Sequence, residues 1–266
     1  MQDPLDQEEA QENRLTTSYG QEYVRTALAI LLGGAAFPTI QGALGGRLEL
    51  DGYNADLKLA FEFQGEHHYI HGVFAHHGCD LAQVQQNDRV KLERCEASGI
   101  KLIVVPTDQF KKERRKICQF LVDEMDRCGM DPLVLRWTGK CKGIGLEAPV
   151  RPQWQKEIAI DSRHSLFRFG IRSILKEHPN GIPLPEFVES LIKKQIRPRW
   201  LMAEESIRGI EFAWNGSAES SWTMGQKIGF GWITLAERGV FFSPGDPSHR
   251  SVLQEFALLK PRFVQG

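Results

Sequence analysis

The chain has 266 residues, of which 41% are hydrophobic and 25% charged, close to the averages of soluble globular proteins and unlike collagen-like, mucin-like or wholly disordered chains. No apolar run approaches the roughly 18 residues that a membrane-spanning helix needs; the best candidate, ALAILLGGAAF at 27–37, is short and carries a glycine pair. Net charge is −1, but Asp3, Asp6, Glu8, Glu9 and Glu12 stand in a stretch without Lys or Arg; taking those five from the 34 acids leaves 29 against 33 bases, a balance that permits a polyanionic partner without arguing for one.

Residues 1–13 read as an acidic, disordered tail rather than a basic-then-apolar signal peptide. Ser18 can cap a helix that carries Val24, Leu28, Leu31 and Leu32 at helical spacing. That helix should stop at Gly33-Gly34, ahead of Pro38. The period then changes. RLELD (47–51) alternates, GYNAD reads as a turn, and LKLAFEFQG (57–65) alternates again. Leu57, Leu59, Phe61 and Phe63 form one face of this second strand; Lys58, Ala60, Glu62 and Gln64 form the other. A helix over 80–97 leads through Ser98-Gly99 into IKLIVVP (100–106), whose continuous apolar character suits a strand buried on both faces. A further helix is expected over about 110–127. The order α, β, β, α, β, α gives an α/β domain with a mixed sheet.

All six tryptophans lie beyond residue 136. GLEAPVRPQW (145–154) has the prolines of a linker. SLFRFGIRSILKEH (165–178) and PEFVESLIKKQI (185–196) are amphipathic helical segments around the breaker PNGIP. A third helix is expected over roughly 202–212, followed by glycine-rich aromatic segments and WITLAERGVFF (232–242). The expected division is a tail at 1–13, a first domain at 14–145, a linker at 146–160 and a second domain at 161–266. Five cysteines without a CxxC pair indicate a reducing, cytoplasmic setting rather than a disulfide framework.

The chemistry concentrates at 51–64. Asp51 ends one strand; Glu62 and Gln64 lie on the polar face of the next. Carboxylates converging from neighbouring strands repel unless they share a proton or hold a cation. A hard divalent ion such as Mg²⁺ takes oxygen ligands of this kind, together with phosphate and water. The plainer reading is that alternating strands always place some acids toward solvent.

The strings LELDGYNADLKLAFEFQGEHHY (48–69), NDRVKLERCEASGIKLIVVP (87–106) and SYGQEYVRTAL (18–28) together resemble the PD-(D/E)xK nuclease superfamily. Within it they look most like the branch of very-short-patch-repair endonucleases and related viral and phage enzymes. The resemblance implies a restriction-endonuclease-like mixed sheet flanked by helices. It also implies a metal-dependent endonuclease that hydrolyses phosphodiester bonds in DNA with Mg²⁺, for which Mn²⁺ substitutes. Asp51 and Glu62 match the family's metal-binding acids, and the carbonyl of Phe63 completes the shell. Gln64 stands where the commonest pattern has lysine, as in the resembled branch, and carries no positive charge. Lys91 either supplies that charge from the next helix or is simply solvated. Glu22 matches the helix glutamate as a second-metal or water-orienting acid, unless Gln21 takes that place. Asp88 matches the D-x-x-K acid and is equally a helix N-terminal acid. His68 matches a His-Tyr pair. Antiviral-defence and mobile-element settings follow from the same resemblance.

His71, His76, His77 and Cys79 suggest zinc, but their spacing fits no standard zinc module. KKERRK (111–116) is a basic helix face that touches a nucleic-acid backbone or only water. The C-terminal part resembles a winged helix, a smaller α+β domain that binds DNA or a protein partner. There Lys193, Lys194, Arg197, Arg199 and Trp200 form a candidate nucleic-acid surface, with Trp200 as core the plain alternative. RNA instead of DNA stays open as substrate, as do a homodimer and a nuclease-fold binding or assembly subunit that has lost activity.

Overall fold

The computed structural model describes residues 16–46, 48–65, 81–107, 116–137, 152–203, 206–215 and 222–257. It is an α/β protein with several small sheets, divided into two compact units at 1–163 and 164–266.

In the first unit, helix α1 (Thr16–Leu31) buries Tyr23, Val24, Ala27, Leu28 and Leu31. Ser18 lies within this helix rather than capping it. The helix does stop at the glycine pair: Gly33 has φ 71° and the Gly34 N–H bonds the Ala29 carbonyl at 2.6 Å. Strand β1 (Ile40–Gln41) pairs antiparallel with β2 (Glu49–Leu50). Strand β3 (Gly52–Asn54) pairs antiparallel with β4 (Leu59–Gln64), which pairs parallel with β5 (Lys101–Pro106). The expected GYNAD turn therefore starts later. Gly52, Tyr53 and Asn54 are strand, and the Asn54 side chain closes the turn by accepting the Leu57 N–H at 2.9 Å.

Parallel pairing of β4 and β5 requires a crossover, because no tight turn can join parallel strands. The crossover contains α2 (Leu81–Ala97). The strand enclosed on both faces is β4, not β5 as expected: residues 59–63 are all buried, whereas β5 exposes Lys101 and half-exposes Leu102, Val104 and Pro106. The reason is that elements cover both faces of β4, which is also the central strand of its sheet. One face of β4, carrying Phe61 and Phe63, packs toward α1 and Phe37. The other, carrying Ala60, Glu62 and Gln64, meets α2. Helix α3 runs Ile117–Arg127; the earlier part of the helix expected over about 110–127, with most of KKERRK, lies outside the described residues. Helix α4 (Pro132–Trp137) returns Arg136 to the Ile30 and Leu31 carbonyls at the end of α1.

Helix α5 (Pro152–Glu177) contains the boundary between the units. Of the expected linker at 146–160, residues 152–160 are helical and 146–151 lie outside the described residues. In the second unit, β6 (Ile182–Pro183) and α6 (Leu184–Lys193) are followed by a hairpin of β7 (Ile196–Ala203) and β8 (Ser206–Trp214). The third helix expected over 202–212 is thus strand at its described residues, 202–203 and 206–212. Ile210 and Phe212 alternate with Glu211 toward the core, and pairing with β7 outweighs local helix propensity. Strand β9 (Thr223–Met224) extends this sheet. WITLAERGVFF is helix α7 (Trp232–Glu237) plus β10 (Val240–Phe241), which pairs parallel with β6. Helix α8 (Pro247–Phe256) is capped by Asp246, whose side chain accepts the Ser248 N–H at 2.8 Å.

Candidate functional site

Asp51 occupies a bend between β2 and β3, and its neighbours fix how close it comes to β4. A Cβ on Gly52 would lie 2.1 Å from the Phe61 ring, so only glycine admits this approach. Past the end of β3, the N–H of Phe63 donates to Asp51 Oδ2 at 2.8 Å. The Asp51 N–H donates to Glu62 Oε1 at 3.2 Å. From α1, Gln21 Nε2 donates to Asp51 Oδ1 at 2.9 Å. The Glu62 carboxylate thus meets the backbone of Asp51, whose own carboxylate is held from α1 and β4.

Glu62 is 6% exposed. Lys91 Nζ donates to its Oε2 at 2.5 Å. Burial first and Asp51 second push the Glu62 carboxyl up to about 7, against the opposing pull of Lys91. Two residues along, Gln64 Nε2 donates to Asp88 Oδ2 at 3.2 Å, and the Thr107 hydroxyl donates to the Gln64 carbonyl. Asp88, Lys91 and Cys95 follow at the spacing of one helix face. They meet Gln64, Glu62 and Ala60 in reverse order, with Cys95 in the same small core as Ala60 and Leu50. The D-x-x-K stretch and the E-x-Q strand thus face one another, and Lys91 is an ion-pair partner rather than a solvated base.

Glu22 reaches the site through Arg25. It pairs with Arg25 on its own helix, and Gln21 takes the place at Asp51. Arg25 carries no signal in the sequence, yet it donates to the Phe37 carbonyl at 2.8 Å, the Thr39 hydroxyl at 2.9 Å and the Asp51 carbonyl at 2.7 Å. Burial lowers its pKa and the charge of Asp51 works against that. His68 lies outside the described residues, as do His71, His76, His77 and Cys79. Among the described residues there is no cluster of three His, Cys, Asp or Glu side chains. No helix among them is long and apolar enough to cross a membrane.

The basic cluster of the second unit divides. Lys193 is exposed and pairs with Glu189 at 2.8 Å; Lys194 lies 3.8 Å from Glu177. Arg199 bonds Glu211 through Nε at 2.9 Å and through its terminal amine at 2.5 Å, and its guanidinium lies 4.2 Å from the Trp222 ring centre. Arg197 is exposed. Trp200 corrects the expected stacking surface: it is wholly buried, with its ring edge-on to Trp232 at 6.1 Å.

No family model and no solved structure matches the chain. Part of it is similar to uncharacterized protein 094L of Frog virus 3 (isolate Goorha), 44% identical over 64 residues. Part is similar to uncharacterized protein 033L of Invertebrate iridescent virus 3, 36% identical over 63 residues. Each match spans 23% of this chain, and 41% and 32% of the two viral proteins respectively.

Proposed function

We propose that the protein is a Mg²⁺-dependent endonuclease hydrolysing phosphodiester bonds in DNA, on the plan of the PD-(D/E)xK nucleases. The observation that carries this reading is the convergence of Asp51 and Glu62, linked through the Asp51 N–H, next to Lys91. The element order α1, β3, β4, α2, β5, with antiparallel and then parallel pairing, supports a restriction-endonuclease-like first unit. For the second unit, helix, short strand, helix and hairpin support a winged-helix-like reading, although a strand replaces its third helix.

The donor set fits the ion. Both acids present hard oxygens, and burial together with the charge of Asp51 raises the Glu62 carboxyl. Mg²⁺ needs only one or two carboxylates beside phosphate and water. Asp51, Glu62 and the Phe63 carbonyl would hold it. When bound, Mg²⁺ offsets charge that develops on the phosphoryl group and makes water a better nucleophile. Gln21 and the Phe63 N–H orient the Asp51 carboxylate. Lys91 holds Glu62 and brings positive charge, and Asp88 holds the Gln64 amide.

A second reading, a nuclease-fold DNA-binding or assembly subunit, is favoured by one fact: each oxygen of Asp51 and Glu62 already accepts a protein hydrogen bond. Incubation of supercoiled plasmid with Mg²⁺ or Mn²⁺, beside Asp51→Ala and Glu62→Ala, separates the two. Cleavage lost in both variants is the expected result. Wild-type binding without cleavage, unchanged by either substitution, moves the conclusion to the second reading. Single-stranded RNA and DNA run in parallel identify the substrate class.

A further inference from the structure

Asp51 stands at a bend between a two-residue strand and a three-residue strand. A peptide there has no ladder to hold it, so the direction of its carboxylate depends on what fixes the backbone. The Asp51 carbonyl accepts from Arg25 at 2.7 Å and from the Thr39 hydroxyl at 3.1 Å. The same guanidinium reaches the Thr39 hydroxyl and the Phe37 carbonyl, and it lies 5.9 Å from the Phe61 ring centre. Arginine alone offers a planar fork of fixed donors that can hold several acceptors at once; lysine has a single ammonium. Glu22, three residues earlier on α1, pairs with Arg25 and aims it. Gln21, one turn before Arg25, steadies the carboxylate end of the same aspartate.

We propose that Arg25 is the positioning residue for Asp51, and that Glu22 acts through Arg25 rather than as a metal ligand. The inference rests on the reading that Asp51 and Glu62 hold a divalent cation. It assigns α1 a defined task in that site: the helix locks both ends of one acid, the backbone through Arg25 and the side chain through Gln21.

The test is Mn²⁺ affinity, measured by calorimetry on the full chain. It compares wild type with Arg25→Met, Arg25→Lys, Glu22→Gln and Asp51→Asn, each well below its own melting temperature. Arg25→Met should weaken Mn²⁺ by about 10–100-fold, the range found when groups that orient metal ligands are removed. Arg25→Lys should recover part of that loss, which a purely structural role would not produce once folding is matched. Glu22→Gln keeps an acceptor for Arg25 and should lose far less than Asp51→Asn. Wild-type affinity in a folded Arg25→Met variant overturns the proposal, as does a Glu22→Gln loss equal to that of Asp51→Asn. If Arg25→Met does not fold, Arg25→Lys decides: weakened binding supports the proposal and unchanged binding overturns it. Failure of the wild-type protein itself to bind Mn²⁺ overturns the cation reading beneath it, and is seen in that arm alone.

Discussion

Lys91 Nζ sits 2.5 Å from Glu62 Oε2, yet the Glu62 carboxyl still titrates at about 7. Burial and the neighbouring Asp51 outweigh the lysine, so Glu62 holds its proton to a higher pH than an ordinary carboxyl. Proton and cation then compete for one carboxylate. Cation affinity should fall roughly tenfold for each pH unit below 7. A carbon-13 titration of Glu62 should show a midpoint near 7 that saturating Mg²⁺ lowers. A midpoint indifferent to Mg²⁺ would leave the ion without a site here.

The same shift has a sign for stability. The folded-state pKa of Glu62 lies above its ordinary value of 4.5, so the native state binds the proton more readily than the unfolded chain. On this group's account stability is greatest below about 4.5 and declines as pH rises toward 7, by about 3 kcal/mol in all. Urea unfolding of wild type and Glu62→Gln at pH 5 and pH 8 checks this. The difference between the two pH values should be smaller in the variant by about that amount.

Lys91→Met keeps the aliphatic stem and removes the charge. The Glu62 midpoint should then rise above 7. The variant should lose about 1–3 kcal/mol at pH 8, below the cost of breaking a fully buried pair because the lysine side chain is 16% exposed. At pH 5.5 the loss should be smaller, since Glu62 is protonated there in the wild type as well. Equal losses at both pH values would mean that the lysine matters for its packing and not for its charge.

Period-two alternation made both faces of β4 legible in the sequence, and the glycine turn before β5 made the crossover so. That α2 covers the polar face was not, because Asp88, Lys91 and Cys95 are no apolar stripe. The helix meets the sheet through an amide–carboxylate bond and an ion pair, which hydrophobic periodicity does not register. Arg25 was silent for a different reason: its partners are backbone oxygens at 37 and 51, and backbone acceptors have no residue code. Residues 202–212 read as helix from composition, while their state follows from a hairpin partner in β7. Lys193, Arg197 and Arg199 made Trp200 look like part of a surface, although strand alternation turns it inward.

Gly20 tests the contact of α1 with β4. A Cβ there would come within 2.3 Å of the Phe63 ring, which is itself core. Gly20→Ala should cost about 1–3 kcal/mol through overpacking and push Gln21 and Arg25 away from Asp51. Gly245 meets nothing within 4 Å, so Gly245→Ala should stay within about 0.5 kcal/mol of wild type. Thermal melts of both variants, with Mn²⁺ affinity for the first, measure this. An undisturbed Gly20→Ala would mean that helix and strand are not in this register.

Trp200 separates core from surface in the second unit. Its side chain is fully buried among Phe187, Phe212 and Leu235 in one cluster, so Trp200→Ala should cost about 3–5 kcal/mol, and Trp200→Phe less. Neither the affinity of Trp200→Phe for DNA nor its salt dependence should differ from wild type at matched folding. Arg197→Ala and Lys193→Ala remove exposed charges and should leave the fold intact. If this face contacts phosphates, each should reduce the slope of log affinity against log salt by about one. Fluorescence anisotropy on a labelled duplex over a salt series reads both. A Trp200→Phe variant that folds as wild type but binds DNA more weakly would return this tryptophan to the interface.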